Sequence, residues 1–417
     1  MPRPRPALAP YPAPQASSAQ PHLQRALAHF FKAEFEPAII SFRRALSISS
    51  DLAVAYKYLG VCYVEAGLIE QAIETYRQGL ARDASDAELH YFLGLAHLRQ
   101  GNLAETVTAY REALRLAPDR ADLYFNLGVV YDMMGRIEDE IVAYLKFIEL
   151  RPDSAEVHYN LGVVYGRLGR LQEEITHYRK AVELSPDYAD AHYNLAVAYG
   201  KAGRASEEVA SYEAAIVARP DFAEAHYNLA IARKEAGNLE GAVEAYLAAI
   251  AANPQDARSY HNLGVLYGRL GRIEDEVAQY QTALKLNPDD PDTHYNLGIA
   301  YSDLGDNEGA VREYRAALLL LPSHANARHN MAVSYRRLVH RAMTRADLQR
   351  VLSLVREIAT LREPGTTATL RKAYLWASEH RSARLSPDDH EACTQLMNAV
   401  VEALRGMGLS AQLDRSE

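Results

Sequence analysis

Cysteine is scarce: Cys62 and Cys393 are the only two in 417 residues, over 300 positions apart, and support neither a disulfide framework nor a zinc site. No apolar run approaches the roughly 18 residues that cross a bilayer. The opening MPRPRPALAPYPAPQ has no continuous apolar core of the export-signal kind, so the expectation is a cytoplasmic protein with no membrane insertion. Catalytic signatures are missing as well. There is no phosphate-binding Gly-x-x-x-x-Gly-Lys, no Gly-x-Ser-x-Gly and no dinucleotide fingerprint. His390-Glu391 is followed by Ala-Cys-Thr, which breaks the metalloprotease spacing. The expectation is a non-enzyme without cofactor or metal.

A period is present instead. Pro118, Pro152, Pro186, Pro220, Pro254, Pro288 and Pro322 fall every 34 residues. Glycines from Gly67 to Gly305 and aromatics from Phe42 to Tyr314 keep the same step. Within a unit, AEVHYNLGVVYGRLG and RLQEEITHYRKAVELSP each carry apolar residues at helical spacing, with a glycine between them and a proline opening the next unit. Two short helices cannot bury their apolar faces alone, so neighbouring units must stack.

In the fifth unit His158, Leu161-Gly162, Tyr165, Tyr178, Ala181 and Pro186 match the tetratricopeptide-repeat pattern, and the chain resembles that family over three quarters of its length. The fold expected is an all-α, right-handed α-solenoid of nine to ten 34-residue helix-turn-helix repeats with a C-terminal helical cap. Its divisions would be a proline-rich disordered lead over 1–18, nine repeats over 19–324, the first helix of a tenth over 325–338, and capping helices over 339–417. In the tail, Thr344-Arg-Ala-Asp347 resembles a capping box. Pro364-Gly365 is read as a break, Thr367–Arg384 as a helix, and Ser386-Pro387-Asp388-Asp389 as a helix start with Gly406 as its stop.

The resemblance implies that first helices line a concave groove. Its sixth position holds a ladder of amides: Asn126, Asn160, Asn194, Asn228, Asn262, Asn296 and Asn330. An amide carries an acceptor and two donors and can bind a peptide unit through both. Stacked helices sit about 10 Å apart while an extended peptide advances about 3.3 Å per residue, so one asparagine meets roughly every third ligand residue. The ladder resembles that in the repeat arm of O-linked N-acetylglucosamine transferase, although no catalytic domain follows here. Local hydrogen bonding is the competing role for these amides. Fifth positions are mostly aromatic (Tyr159, Tyr193, Tyr227), and packing between first helices is the favoured role there. Ninth positions are apolar (Val163, Val197), and second positions are largely acidic (Glu156, Asp190, Glu224). Such a groove suits an extended or helical protein segment with basic residues. The family's carboxylate clamp, by contrast, lacks its lysine and arginine here and would set carboxylate against carboxylate.

Charge agrees with that choice of partner. Basic residues number six against three acidic in 1–52, 25 against 41 in 53–324, and 14 against 10 in 325–417. The acidic middle repels phosphate backbones, so nucleic acid is not expected as a partner. Units four, five, six and eight carry Gly-Arg-x-x-x-Glu (Arg136/Glu140, Arg170/Glu174, Arg204/Glu208, Arg272/Glu276), spaced to pair at i, i+4. Three of these units also have Gly166, Gly200 or Gly268 followed by Arg167, Lys201 or Arg269, so the glutamates read as partly buried and paired. Histidines recur at His90, His158, His192, His226 and His294, but adjacent copies about 10 Å apart cannot share one ion. The function expected is a protein-interaction scaffold. Self-assembly, or service as the targeting arm of a separately encoded glycosyltransferase, are the alternatives.

Overall fold

The computed structural model describes residues 19–361, 366–381 and 386–409. Among them are 22 α-helices and no strand. The chain divides into two compact units, Met1–Ala191 and His192–Glu417. Helix pairs of the first unit are α1 (Gln20–Phe31) with α2 (Phe35–Ile48), α3 (Ala53–Glu65) with α4 (Ile69–Leu80), and α5 (Ala87–Gln100) with α6 (Leu103–Leu116). The pairs α7 (Ala121–Met133) with α8 (Ile137–Leu150) and α9 (Ala155–Arg167) with α10 (Leu171–Leu184) complete it. Helix α11 (Ala189–Lys201) spans the division, and α12 (Ala205–Ala218) follows. The second unit continues with α13 (Ala223–Glu235) and α14 (Leu239–Ala252), α15 (Ala257–Arg269) and α16 (Ile273–Leu286), and α17 (Pro291–Asp303) and α18 (Asn307–Leu320). Its last four helices are α19 (Ala325–Thr344), α20 (Leu348–Leu361), α21 (Thr367–Arg381) and α22 (Pro387–Gly406).

Each unit is a stack of helix-turn-helix pairs. In the first unit α2 also packs on α3, α4 on α5, α6 on α7 and α8 on α9. The turn inside a pair needs a left-handed residue, and the eight periodic glycines from Gly67 to Gly305 supply it with φ between 68° and 84°. In the first pair Ala33 takes that place at φ 59°. The periodic aromatics fill the joints: Phe42, Tyr76, Tyr110, Tyr246 and Tyr314 are all buried. No helix among the described residues is long and apolar enough to cross a membrane.

The tail departs from expectation in detail. Helix α19 runs on to Thr344 instead of stopping at 338, because Leu338, Val339, Ala342 and Met343 extend its buried stripe into one cluster with Val351, Val355, Leu370, Leu396 and Val400. Thr344 is therefore helical and its hydroxyl donates to the His340 carbonyl at 2.9 Å. The cap of α20 is Asp347, whose Oδ1 accepts from the Arg350 amide at 2.9 Å. Ser386 caps α22 as expected, accepting from the Asp389 amide at 3.1 Å. The lead over 1–18, Pro364-Gly365 and the last three residues of the helix expected over Thr367–Arg384 lie outside the described residues.

Candidate functional site

The seven ladder asparagines each stand on a first helix, from Asn126 on α7 to Asn330 on α19, and all are half-buried. So are Tyr159, Tyr193, Tyr227, Val163 and Val197. Half-burial leaves each side chain one face to pack with and one to offer.

Much of the amide is already engaged. In the second unit Asn228 Nδ2 donates to the Tyr193 hydroxyl at 2.9 Å, Asn262 Nδ2 to Tyr227 at 2.8 Å and Asn330 Nδ2 to Tyr295 at 3.3 Å. The offset is 35 residues each time, so every amide reaches back to the fifth-position tyrosine of the preceding repeat. Asn228 also hydrogen-bonds Tyr212, and Asn330 bonds Tyr314, the tyrosines on the paired second helices. In the first unit Asn126 bonds Tyr91, and Asn160 bonds Tyr144. In Asn228, Asn262 and Asn330 the nitrogen is committed within the chain, and Asn228 and Asn330 each engage a second tyrosine as well. Asn296 differs. His261 replaces the tyrosine it would reach, and turns its Nδ1 to the Thr293 hydroxyl at 2.6 Å. Among the described residues Asn296 has no side-chain hydrogen-bond partner.

The tyrosines pack as well as bond. Tyr159 lies against Tyr178 and Tyr188 with centroids 5.8 and 5.0 Å away. Tyr193 lies against Tyr212 and Phe222, and Tyr227 against Tyr246. Val197 packs beside the cluster of Leu229 and Ala230. Around this strip Glu156, Glu224 and Asp292 are exposed.

The expected i, i+4 pairs do not form. Arg136 lies over the Tyr131 ring at 4.8 Å and its Nε donates to Asp139, at i+3, over 2.8 Å. Arg170, Arg204 and Arg272 repeat both contacts, on Tyr165 and Glu173, Tyr199 and Glu207, and Tyr267 and Asp275. The ring fixes each guanidinium on the outer side of the turn, while the glutamate at i+4 turns inward. There the carboxylates of Glu174, Glu208 and Glu276 fill the space above Gly166, Gly200 and Gly268, where a Cβ would meet an oxygen within 2.9 Å. Glu140 and Glu174 are 3% and 4% exposed.

For Glu140 the charge is balanced across the joint, from the following repeat. Arg167 Nη2 on α9 lies 2.6 Å from Glu140 Oε2 on α8, and the same guanidinium bonds Asp132. The residue in that place is acidic for two other glutamates: Glu235 opposes Glu208, and Asp303 opposes Glu276. Glu276 is raised to about 7, chiefly by burial and secondly by Asp303, and only a hydrogen bond with Tyr280 acts the other way. Burial also raises Glu140 to about 7, against the pull of Arg167.

The recurring histidines hold turns. His90, His226 and His294 each place Nε2 on the carbonyl six residues back, at 3.1, 2.9 and 3.1 Å. Comparison of these copies with one another does not reveal a further contact. His158 meets His177 of its own repeat, with Nδ1 atoms 3.1 Å apart.

Models of the TPR repeat match residues 133–169, 167–203, 232–271 and 267–305. Tetratricopeptide-repeat models match 59–121, 109–141, 189–222 and 291–324. Together they cover more than half of the residues, and the chain belongs to the tetratricopeptide-repeat family. Repeats of this family are protein-interaction scaffolds and are generally non-catalytic. Among solved structures the chain is similar to YrrB, titled a TPR protein with an unusual peptide-binding site (22% identity, 45% of this chain and 96% of that one, TM-score 0.42). It is also similar to MamA (26%, 40% and 92%, TM-score 0.39) and to a tetratricopeptide repeat protein from Parabacteroides merdae (16%, 60% and 98%, TM-score 0.41). No curated protein matches it.

Proposed function

We propose that the chain is a non-enzymatic adaptor whose first helices grip an extended or helical segment of a partner protein. The observation behind this reading is the half-buried asparagine, tyrosine and valine that recur on the first helices within each unit, a side-chain set carrying amide donors and acceptors beside hydroxyl and apolar groups. An extended peptide presents both an N–H and a C=O at each unit, so an acceptor beside a donor suits it. Val163 and Val197 add apolar contact, and the exposed Glu156, Glu224 and Asp292 favour basic residues on the partner. The proposed place of action is the cytoplasm.

Photo-crosslinking tests this. With benzoylphenylalanine in place of Val163, Val197 or Ile231, the partner is expected to crosslink. In place of Val217 and Leu319, which are 83% and 77% exposed on second helices, it is not. Crosslinking from Val217 and Leu319 alone would overturn the reading. The triple change of Asn160, Asn194 and Asn228 to alanine should weaken binding. It should also cost some stability, since Asn228 links two tyrosines.

A further inference from the structure

The fifth repeat carries two imidazoles that the groove does not use. His158 on α9 and His177 on α10 bring their Nδ1 atoms to 3.1 Å, with ring centroids 5.3 Å apart. In the other repeats with a fourth-position histidine, the place of His177 is held by Ala109, Ser211, Ala245 or Glu313.

Two nitrogens each about 2.0–2.1 Å from one ion, subtending an angle between a right and a tetrahedral one, are separated by about 2.8–3.4 Å. The pair already has that separation. A second feature concerns the tautomer. Metal-bound histidines usually give their other N–H to a carbonyl or carboxylate, which fixes the ring and directs the lone pair at the ion. His158 has such a bond with the Pro152 carbonyl, the contact that Nε2 makes in His90, His226 and His294. Its Nδ1 lone pair therefore faces His177. Tyr165 stacks on the His177 ring at 5.2 Å and 18°, holding its plane.

We propose that His158 and His177 together bind one divalent transition-metal ion of the copper, nickel and zinc class, stapling α9 to α10. Burial lowers both imidazoles, His177 to about 4, so both are neutral ligands at pH 7. As the ion binds, the His177 hydrogen shifts from Nδ1 to Nε2 through solvent, and no proton is lost overall. No group of three histidine, cysteine or carboxylate ligands converges among the described residues, so water completes the coordination. His177 is half-buried, which admits it. Of the nearby charges, Glu173 is held by Arg170 and Glu183 by Lys180.

Calorimetric titration of the full chain with Cu²⁺, Ni²⁺ and Zn²⁺ should show one ion per chain, with Cu²⁺ bound most tightly. Ni²⁺ should raise the thermal midpoint. Both effects should fall at least tenfold in His177→Gln and His177→Ala, and persist in His226→Ala. Should one substitution impair folding, the visible absorption of bound Cu²⁺ in the other serves as the readout. Affinity unchanged in the His177 variants, or no ion bound by the native chain, would overturn the proposal.

Discussion

Two joints of the molecule pose the same electrostatic problem and meet it differently. Within the first unit Glu140 of the fourth repeat lies almost wholly inside the structure and faces Arg167 of the fifth. Within the second unit Glu276 of the eighth repeat occupies the equivalent place and faces Asp303 of the ninth. Both carboxyls are raised to about 7, by different balances. At Glu140 a deeper burial is opposed by a cation. At Glu276 a shallower burial is reinforced by an anion. Compensation in this solenoid thus passes from one repeat to the next, and a repeat's character depends on its neighbour's thirteenth residue as much as on its own sequence.

The comparison breaks most severely if the cation is removed. Arg167→Met leaves Glu140 and Asp132 together without a counter-charge. Stranding one partner of a buried pair costs about 3–5 kcal/mol, and the partial exposure of Arg167 reduces this to about 2 kcal/mol. The midpoint of urea unfolding should fall accordingly, and an unchanged midpoint would show that Arg167 is ornamental. The reverse experiment supplies what the second joint lacks. Asp303→Arg should stabilise by about 0.5–1 kcal/mol, the scale of a pair with one exposed member. A loss of stability would mean that Glu276 lies beyond reach of that position.

Period, helix pairing and turn glycines could be read from the sequence because each depends on residues close along the chain. Even Ala33, which breaks the glycine series, keeps the left-handed turn, since register in the repeat decides the conformation. Side-chain partners were less legible. Arg136 and Glu140 are neighbours on an ideal helix, yet Tyr131 captures the arginine and the joint captures the glutamate. Glu140 finds its cation 27 residues on, and Asn228 its tyrosine 35 residues back. Those offsets recur with the period, so a search at one repeat plus or minus a few residues would have found them. The His158–His177 contact spans 19 residues, an offset seen again between His294 and Glu313, but only the fifth repeat places histidine at both positions.

The smallest expected effect separates burial from charge at Glu276. Its carboxyl is raised from the ordinary 4.5 to about 7, so the folded state holds a proton that the unfolded chain releases. The resulting stability is fully present below about pH 4.5 and is lost as pH rises through about 7. Burial is the larger cause and Asp303 the lesser. Asp303→Asn should therefore lower the Glu276 pKa only part of the way, moving this loss to lower pH and making it shallower by a few tenths of a kcal/mol. Glu276→Gln, which has nothing to titrate, should remove this contribution entirely. Thermal midpoints measured from pH 4.5 to 8 would rank the three proteins, with the native chain losing most, Asp303→Asn less and Glu276→Gln least. Equal slopes in the native chain and Asp303→Asn would assign the whole effect to burial and leave the opposing carboxylate without influence on the joint.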